Sequence, residues 1–274
     1  MEVHRSRYYA YARRQTYQES CLKLLCAARV KECFEVNRRR YGSRRIAASL
    51  RIGRATVQKV MRRENLRAIA PKRFKPNTTD SKHGLPVCPN LLQDAANSPT
   101  GRGEVFVGDI TYLRLRSGGF CYLACLQDKF TRRIVGWKVA ERMTAQLVID
   151  VFLSARRRGL IDKEAIIHTD QGSQYAALEY RRLLYIGGFR QSMSRKGNCY
   201  DNAQAESFFS RFKAALVEGG IFESVEDARS EVFSYIEGYY NRIRLHSSLG
   251  YQSPLQFENE LKIKNRRSSE SFVS

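Results

Sequence analysis

Three carboxylates occupy positions where a carboxylate has chemical consequences. Asp109 lies in the middle of the apolar run VFVGDITYL, Asp170 directly follows the apolar run AIIHT, and Glu206 lies in the helical pattern DNAQAESFFSRFKAAL. An ionised carboxylate inside a buried strand is costly unless it is hydrogen-bonded, paired or bound to a metal ion. Taken alone, Asp170 is interpreted as an ordinary turn residue or helix cap. Any chemistry therefore depends on whether the three acids converge.

Convergence of these acids would create a site for divalent cations. Carboxylates brought together repel each other and need positive charge between them, and an all-oxygen ligand set suits Mg²⁺ or Mn²⁺. Two such ions stabilise the attacking and the leaving oxygen of an in-line phosphoryl transfer. We therefore predict that Asp109, Asp170 and Glu206 are catalytic residues and metal ligands, with two ions in each active site.

The charge of the chain indicates the substrate of such a site. Lys and Arg number 48 against 27 Asp and Glu, which gives a formal net charge of +21. This excess favours a polyanionic partner, with nucleic acid as the leading candidate. A charge-neutralising protein of the ribosomal type also fits the charge, but it would not need 11% aromatic residues and several buried strands.

No apolar run is long enough to predict a membrane span, and the amino-terminal residues lack the apolar core of a signal peptide. We expect a cytoplasmic protein without a membrane partner. The seven cysteines are then interpreted as reduced thiols, and the cysteines and histidines have no zinc-ligand spacing.

Composition divides the chain into four parts. Residues 1–70 have a helical pattern, and residues 71–100 contain five of the six prolines, which predicts an extended, basic linker. Residues 101–262 form the predicted catalytic part with its carboxyl-terminal helix. Residues 263–274 are expected to be a flexible tail.

A helix-turn-helix is predicted near the amino terminus. A short helix from Arg44 to Leu50 is followed by a break at Gly53 and a second helix from about Ala55 to Glu64. This arrangement suits a DNA-binding helix pair, although an ordinary helical hairpin with a solvated basic face gives the same pattern. The side chains that the second helix would offer to DNA are those of Arg54, Gln58, Lys59, Arg62 and Arg63.

Strands and helices alternate in the larger part, which predicts an α/β fold. Three successive strands, EVFVGDITYLRL, GFCYLACLQD and RRIVGWKVAER, are joined by the turns RSGG and DKFT. A helix capped by Thr144 and ended by Gly159 follows, then the strand AIIHTD, a helix, the short strand RQSMS and two further helices. The pattern indicates a mixed sheet with helices on its faces.

Further side chains could serve the site. Asp201 is the expected cap of the Glu206 helix, with Gln204 completing a capping box, and Lys213 shares the face of Glu206. His168 could touch a metal ion or the scissile phosphate, but packing is the commoner role of such a residue, and Asp128 at a hairpin turn is expected to be structural. The remaining residues that we expect to contact DNA are Arg195, Lys196, Lys213, Arg242 and Arg244.

Long motifs around these residues match a known family. Thirty-five residues separate Asp170 from Glu206, which resembles the DD(35)E pattern of retroviral integrases and bacterial transposases. YGSRRI, GDITYL, HTDQGSQY, SMSRKGNCYDNAQAESFF and YNRIRLHSSLGYQSPLQF together resemble the orfB product of the IS-three family of bacterial insertion sequences. The resemblance covers roughly residues 40–260. Phe106 stands near the first Asp, where the family often has Trp, and the zinc-binding amino-terminal domain of retroviral integrases has no counterpart.

This resemblance implies an RNase H-like catalytic core, preceded by a small all-α helix-turn-helix domain, and a DDE transposase with Asp109, Asp170 and Glu206 as its triad. The implied activity is cleavage at the terminal inverted repeats of the element and transfer of the 3′-hydroxyl to a target duplex. It also implies a partner, the orfA product or an orfA–orfB fusion, and the reaction favours a homo-oligomer on DNA. The alternatives are a catalytically silent DNA-binding descendant and an RNase H-like nuclease or junction resolvase.

Overall fold

The structure is a computed structural model that describes residues 4–13, 20–70, 84–195, 203–216 and 220–270. The chain divides into two compact units, Met1–Ile69 and Ala70–Ser274. The predicted boundary between a small helical part and a larger part lies at residue 70, next to this division.

The first unit is helical. Its helices are α1 (Arg5–Ala12), α2 (Cys21–Val36), α3 (Ser43–Leu50) and α4 (Arg54–Arg63). The predicted ends of α3 and α4 lie within one residue of these bounds. Helices α2, α3 and α4 pack around a small core formed by Val30, Phe34, Tyr41, Ile46 and Val57.

The break between α3 and α4 differs in detail from the prediction. Helix α3 ends at Arg51, which takes the left-handed conformation with φ of 54°, and the Ile52 N–H donates to the carbonyl of Ala47 at 3.1 Å. Gly53 has an ordinary φ of −59° and precedes the first residue of α4. A left-handed residue after the last turn is a common way to end a helix, usually with Gly, and here arginine takes that role.

The second unit is built on one mixed sheet. Its strands are β1 (Val105–Leu115), β2 (Phe120–Asp128), β3 (Ile134–Ala140), β4 (Ile166–Thr169), β5 (Arg190–Met193) and β6 (Ile221–Phe222). The strand order is β3-β2-β1-β4-β5, and β6 pairs with β1. Strands β1, β2 and β3 form an antiparallel meander, whereas β4 and β5 run parallel to β1. The mixed sheet was predicted correctly.

Helices and one π-helical segment complete this unit. They are α5 (Ala145–Arg157), α6 (Ser173–Ala176), α7 (Leu178–Ile186), α8 (Ala203–Ala215), α9 (Val225–Phe233), the π-helical segment (Ser234–Tyr240) and α10 (Pro254–Glu270). The apolar stripe of α5 is buried and consists of Leu147, Val148, Val151, Phe152 and Ala155. Thr144 is the N-cap residue of α5, as predicted, but its side chain makes no capping hydrogen bond.

The two faces of the sheet carry different partners. Phe106, Ala124 and Leu126 on one face pack with Val151 and Phe152 of α5 in the main core. Gly136 of β3 allows the close approach of α5, because a Cβ at this position would lie 2.5 Å from the carbonyl oxygen of Val151. Side chains alternate between the faces of a strand, so Val107, Asp109, Cys125 and Gln127 point to the opposite face.

Two segment predictions need correction. Residues 88–97, assigned to an extended linker, pack along β5: the Leu91 N–H donates to Ser192 Oγ at 3.0 Å, and the Met193 N–H donates to the Pro89 carbonyl at 3.4 Å. Residues 263–270, assigned to a flexible tail, continue α10. Lysine, arginine and glutamate are good helix formers, and Glu258, one turn after the start of α10, forms a buried ion pair with Arg133 at 2.7 Å.

No helix in the part of the chain that the structure describes is long and apolar enough to cross a membrane. The described cysteines, which are all except Cys199, are free thiols.

Candidate active site

Asp109 and Asp170 are brought together by the pairing of two neighbouring strands. Strands β1 and β4 are parallel, and their last paired residues are Val107 and His168. Asp109 and Asp170 each lie two residues further along, so the alternation of side chains places both acids on the same face. Neither acid stands beside the other in the sequence; the parallel register aligns them.

Backbone amides orient both carboxylates. Asp109 Oδ1 accepts a hydrogen bond from the Ile110 N–H at 2.8 Å, and Asp170 Oδ1 accepts one from the Gly172 N–H at 3.1 Å. Asp170 directly follows β4 and opens the turn into α6. The interpretation of Asp170 as a turn residue is therefore correct as far as it goes, because the same carboxylate also faces Asp109.

Glu206 comes from α8, which packs against β1. The core-facing side of this helix is formed by Ala205, Phe208, Phe209 and Phe212, which are all buried. Glu206 is exposed and lies in the first turn, where the positive end of the helix dipole favours a carboxylate. Lys213 is also exposed, two turns along the same side.

The three acids influence one another electrostatically. Burial raises the pKa of Asp109 well above its usual range, and the charge of Asp170 and then that of Glu206 raise it further. The Ile110 N–H and Lys213 lower the pKa of Asp109 but do not offset these effects. The negative charge around Asp109 therefore exceeds the positive charge, and a bound cation would reduce this imbalance.

The acids do not form a closed metal cage in this structure. Among the residues that the structure describes, no group of three His, Cys, Asp or Glu side chains lies close enough to hold a metal ion together. Asp109 on β1, Asp170 directly after β4 and Glu206 on α8 offer only carboxylate oxygens, which is the donor type that a hard divalent cation prefers.

Two neighbours of the acids were not singled out from the sequence. Cys125 is paired with Asp109 across β1 and β2, and burial, followed by the charge of Asp109, raises the pKa of its thiol. Tyr175 is buried, and burial followed by the charges of Asp109 and Asp170 raises the pKa of its hydroxyl. Both groups therefore stay neutral beside the acids. Position in the motif HTDQGSQY was the available signal for Tyr175.

His168 and Asp128 have structural partners. His168 is fully buried, and its Nδ1 lies 2.8 Å from Ser192 Oγ on β5. Asp128 accepts hydrogen bonds from the N–H groups of Gly103 at 2.7 Å, Phe130 at 2.9 Å and Thr131 at 2.7 Å. These contacts agree with a packing role for His168 and with the expected turn-forming role of Asp128.

Gln204 joins α8 to the sheet. Its Nε2 donates to Gln127 Oε1 at 3.0 Å, and Gln127 Nε2 in turn donates to the Tyr240 hydroxyl at 2.7 Å and to the Arg132 carbonyl at 2.9 Å. Gln127 was missed in the sequence, although a single amide in the apolar strand GFCYLACLQD was a visible signal. The predicted cap, Asp201, lies outside the described residues.

Most of the predicted DNA contacts are exposed. On α4 the exposed residues are Arg54, Gln58, Lys59, Arg62 and Arg63, and on the larger unit they are Arg195, Lys213 and Arg242. Arg63 is partly engaged, because its Nε donates to Glu64 Oε1 at 2.9 Å. Lys196 lies outside the described residues.

Arg244 is an exception among these residues. Its side chain is buried, with the guanidinium 5.5 Å from the centre of the Tyr240 ring and Nη1 3.0 Å from His246 Nε2. A guanidinium held between aromatic rings in the interior cannot reach a phosphate. The prediction that Arg244 contacts DNA is therefore wrong for this conformation, because the side chain supports the fold.

Comparison with protein families identifies the class. The family model described as integrase core domain matches residues 99–199, and a second model of the same description matches residues 187–254. The model described as HTH-like domain matches residues 23–74. The mixed sheet with flanking helices is thus the RNase H-like core of the integrase class, preceded by a helix-turn-helix domain.

Curated relatives narrow the class to a family. The chain is 39% identical over 272 residues to the transposase InsF for insertion sequence IS3A of Escherichia coli K12. The aligned residues cover 95% of this chain and 92% of that protein. The chain is 38% identical over 239 residues to the transposase for insertion sequence element IS904 of Lactococcus lactis, covering 85% and 93%. The chain belongs to the IS3 family of insertion-sequence transposases. It is therefore a DDE transposase, an enzyme that cleaves and joins DNA strands.

Solved viral integrases are more distant. The catalytic core domain of HTLV-2 integrase, solved in complex with magnesium, is 13% identical with a TM-score of 0.44 and covers 58% of this chain and 99% of that one. The catalytic core domain of BIV integrase is 17% identical with a TM-score of 0.43, covering 60% and 99%.

Proposed function

We propose that Asp109, Asp170 and Glu206 are the catalytic triad of this transposase and that they hold two divalent ions, Mg²⁺ or Mn²⁺. The observation that carries the proposal is the alignment of Asp109 with Asp170 on one face of adjacent parallel strands. The helix that bears Glu206 packs against the strand of Asp109, and the charges of both other acids raise the pKa of Asp109. Bound divalent ions would supply electrostatic stabilisation of the attacking and leaving oxygens.

The protein side chains have distinct tasks in this proposal. Asp109 and Asp170 are held by backbone N–H donors, so their carboxylates need little reorganisation to receive a cation. Glu206 completes the ligand set from a separate helix. Lys213 lies close enough to lower the pKa of Asp109, and an exposed ammonium there can bind a phosphate of the DNA strand beside the acids.

DNA would be held by both units. The exposed basic face of α4 would bind the terminal inverted repeats, while Arg195, Lys196, Lys213 and Arg242 would contact the backbone near the active site. Coordinated joining of two ends favours a homo-oligomer, and family membership supports an orfA product or an orfA–orfB fusion as partner. A bacterial enzyme acting on nucleoid DNA would work in the cytoplasm.

Glu206→Gln tests the triad. This change preserves the size of the side chain and removes one negative charge from the metal site. We expect Mg²⁺-dependent cleavage of an element-end duplex to fall roughly 10²-fold or more, while DNA affinity stays unchanged because the phosphate contacts come from Lys and Arg elsewhere. The matched control is Glu226→Gln on α9, which is exposed and far along the chain from the triad. Wild-type cleavage by Glu206→Gln would remove Glu206 from the triad.

A further inference from the structure

The amide of Gln127 occupies an unusual place in the sheet. It is buried near the carboxyl end of β2, and the strand residues that share its face, Cys121, Leu123 and Cys125, are apolar. Its partners come from three separate parts of the fold: Gln204 on α8, Tyr240 in the π-helical segment and the carbonyl of Arg132 in the turn after β2. A buried amide with this many partners specifies one arrangement of the elements that it joins.

Two irregular features of the backbone lie next to the Gln127 side chain. The pairing of β2 with β3 shifts at this point, because Leu126 is opposite Gly136 whereas Gln127 is opposite Ile134, and Val135 is the extra residue. Such a bulge redirects neighbouring side chains and often lies beside an active site. The second partner, Tyr240, belongs to a π-helical segment, which is also a rare feature enriched at functional sites.

The sheet face connects Gln127 with the acids. Gln127 is paired with Val107, and Cys125, two residues before Gln127, is paired with Asp109. Gln127 therefore lies on the face that carries Asp109, and its pair with Val107 is two residues along the strands from the pair of Asp109 with Cys125. Gln204, the residue that it holds, is in the first turn of α8, two residues before Glu206.

Aromatic packing holds the middle and the end of α8, and the hydrogen bond between Gln204 and Gln127 holds its first turn. Phe208 lies against Tyr240 with ring centres 4.9 Å apart, and Phe212 lies against Tyr235 at 5.0 Å. These contacts hold the middle and the end of α8. The hydrogen bond between Gln204 and Gln127 is a direct polar link from the first turn to the sheet, where Glu206 must be set relative to Asp109.

We propose that Gln127 is a positioning residue of the active site: its amide fixes the first turn of α8 and so sets Glu206 relative to Asp109 and Asp170. This inference rests on the proposed triad. Partners that orient metal ligands typically affect metal affinity by about 10- to 100-fold. Loss of the Gln127 amide should therefore weaken metal binding without changing DNA affinity.

The test uses Gln127→Met, which keeps the length of the side chain and removes both its hydrogen-bonding groups. Mn²⁺ binding to the full chain without DNA is followed by electron paramagnetic resonance, and amide hydrogen exchange is measured on peptides from residues 203–215. We expect Mn²⁺ affinity to fall about 10-fold or more and exchange at the start of α8 to become faster. Gln204→Met, at a half-exposed position, removes the same bond from the other side and should give the same result even if Gln127→Met does not fold.

Two controls separate positioning from general loss of stability. Ser224→Ala removes the side-chain cap of α9, where Ser224 Oγ accepts from the Asp227 N–H at 3.1 Å, so it lowers stability without touching α8 and should leave Mn²⁺ affinity unchanged. The double variant of Gln127 and Gln204 should lose no more affinity than either single variant, because both remove one interaction.

The outcomes distinguish this inference from the proposed triad. If Glu206→Gln loses Mn²⁺ affinity but Gln127→Met and Gln204→Met both bind Mn²⁺ like the wild type, the positioning role is refuted and the triad stands. If Glu206→Gln itself binds Mn²⁺ like the wild type, the triad fails and the inference falls with it. Equal loss of affinity in Ser224→Ala would also overturn the positioning role.

Discussion

Replacement of Asp109 by asparagine should have opposite effects on stability without and with a divalent cation. Without metal, the charge of Asp109 is unfavourable, because burial and then the charge of Asp170 raise its pKa. Asparagine removes this charge and retains a side-chain oxygen that can accept from the Ile110 N–H. The metal-free variant should therefore be more stable than the wild type.

The distance between neighbouring strands gives an estimate of the repulsion that Asp109→Asn removes. Neighbouring strands lie about 4.8 Å apart, so carboxylates on one face of β1 and β4 are on the order of 5 Å apart. At an effective dielectric constant of about 20, their repulsion is roughly 3 kcal/mol. Both groups are partly solvated, which reduces this value, and a gain of about 1–2 kcal/mol corresponds to roughly 2–8 °C in Tm for a unit of this size.

Thermal unfolding of the variant and the wild type, each measured with and without Mg²⁺, is the assay. A ligand present at about 100 times its Kd stabilises the native state by roughly 2.7 kcal/mol, so Mg²⁺ should raise the Tm of the wild type and have little effect on Asp109→Asn. Asp94→Asn is the control: Asp94 Oδ1 accepts from the Ala96 N–H at 2.9 Å, and asparagine caps equally well. A metal-free Asp109→Asn protein less stable than the wild type would refute the electrostatic reasoning.

The raised pKa of Asp109 also makes the stability difference between Asp109→Asn and the wild type depend on pH. The folded-state pKa of Asp109 lies above its unfolded value, so the penalty on the wild type is present above the folded pKa and disappears as the pH falls below the unfolded pKa. The stability advantage of Asp109→Asn should therefore be largest at neutral pH and shrink in acid. An advantage that grew as the pH fell would contradict the assigned direction of the shift.

Three further changes test the packing and the DNA contacts. Gly136→Ala should cost about 1–3 kcal/mol, since the new Cβ would meet the Val151 carbonyl oxygen at 2.5 Å; an unchanged Tm would contradict this close approach. Glu258→Gln should cost up to about 3 kcal/mol by leaving the charge of Arg133 unpaired, and denaturant unfolding measures it. Arg62→Ala should weaken duplex binding and reduce the slope of log affinity against log salt by about 1; an unchanged slope would exclude Arg62 from the phosphate contacts.

The elements around the acids could be predicted because their signals are local. The turns RSGG and DKFT separate three strands, and the apolar stripe of α5 has a clear helical period. Asp109 was conspicuous because a charge interrupts an apolar strand. The alignment of Asp109 with Asp170 required the order and direction of β1 and β4, which follow from the three-dimensional fold, and motif spacing stood in for that information in the sequence.

Contacts that depend on distant parts of the chain could not be predicted. Arg244 follows a helical pattern in a basic stretch, but its guanidinium lies against the rings of Tyr240 and His246. The spacing of Gln204 indicates only a capping box and not the bond from its amide to Gln127 on β2. Residues 88–97 contain the turn formers of a linker, yet their backbone groups pair with β5. In each case a tertiary partner overrode a valid local signal.

Part of each outer strand of the sheet is covered by groups from outside the sheet. At the β3 edge, the Asn241 side chain imitates a neighbouring strand, because its Oδ1 accepts from the Ile134 N–H at 3.0 Å and its Nδ2 donates to the Ile134 carbonyl at 3.1 Å. At the other edge, residues 88–97 occupy groups of β5. Open sheet edges invite indiscriminate pairing between copies. The occupied groups at both edges therefore disfavour association of concentrated copies through their sheets.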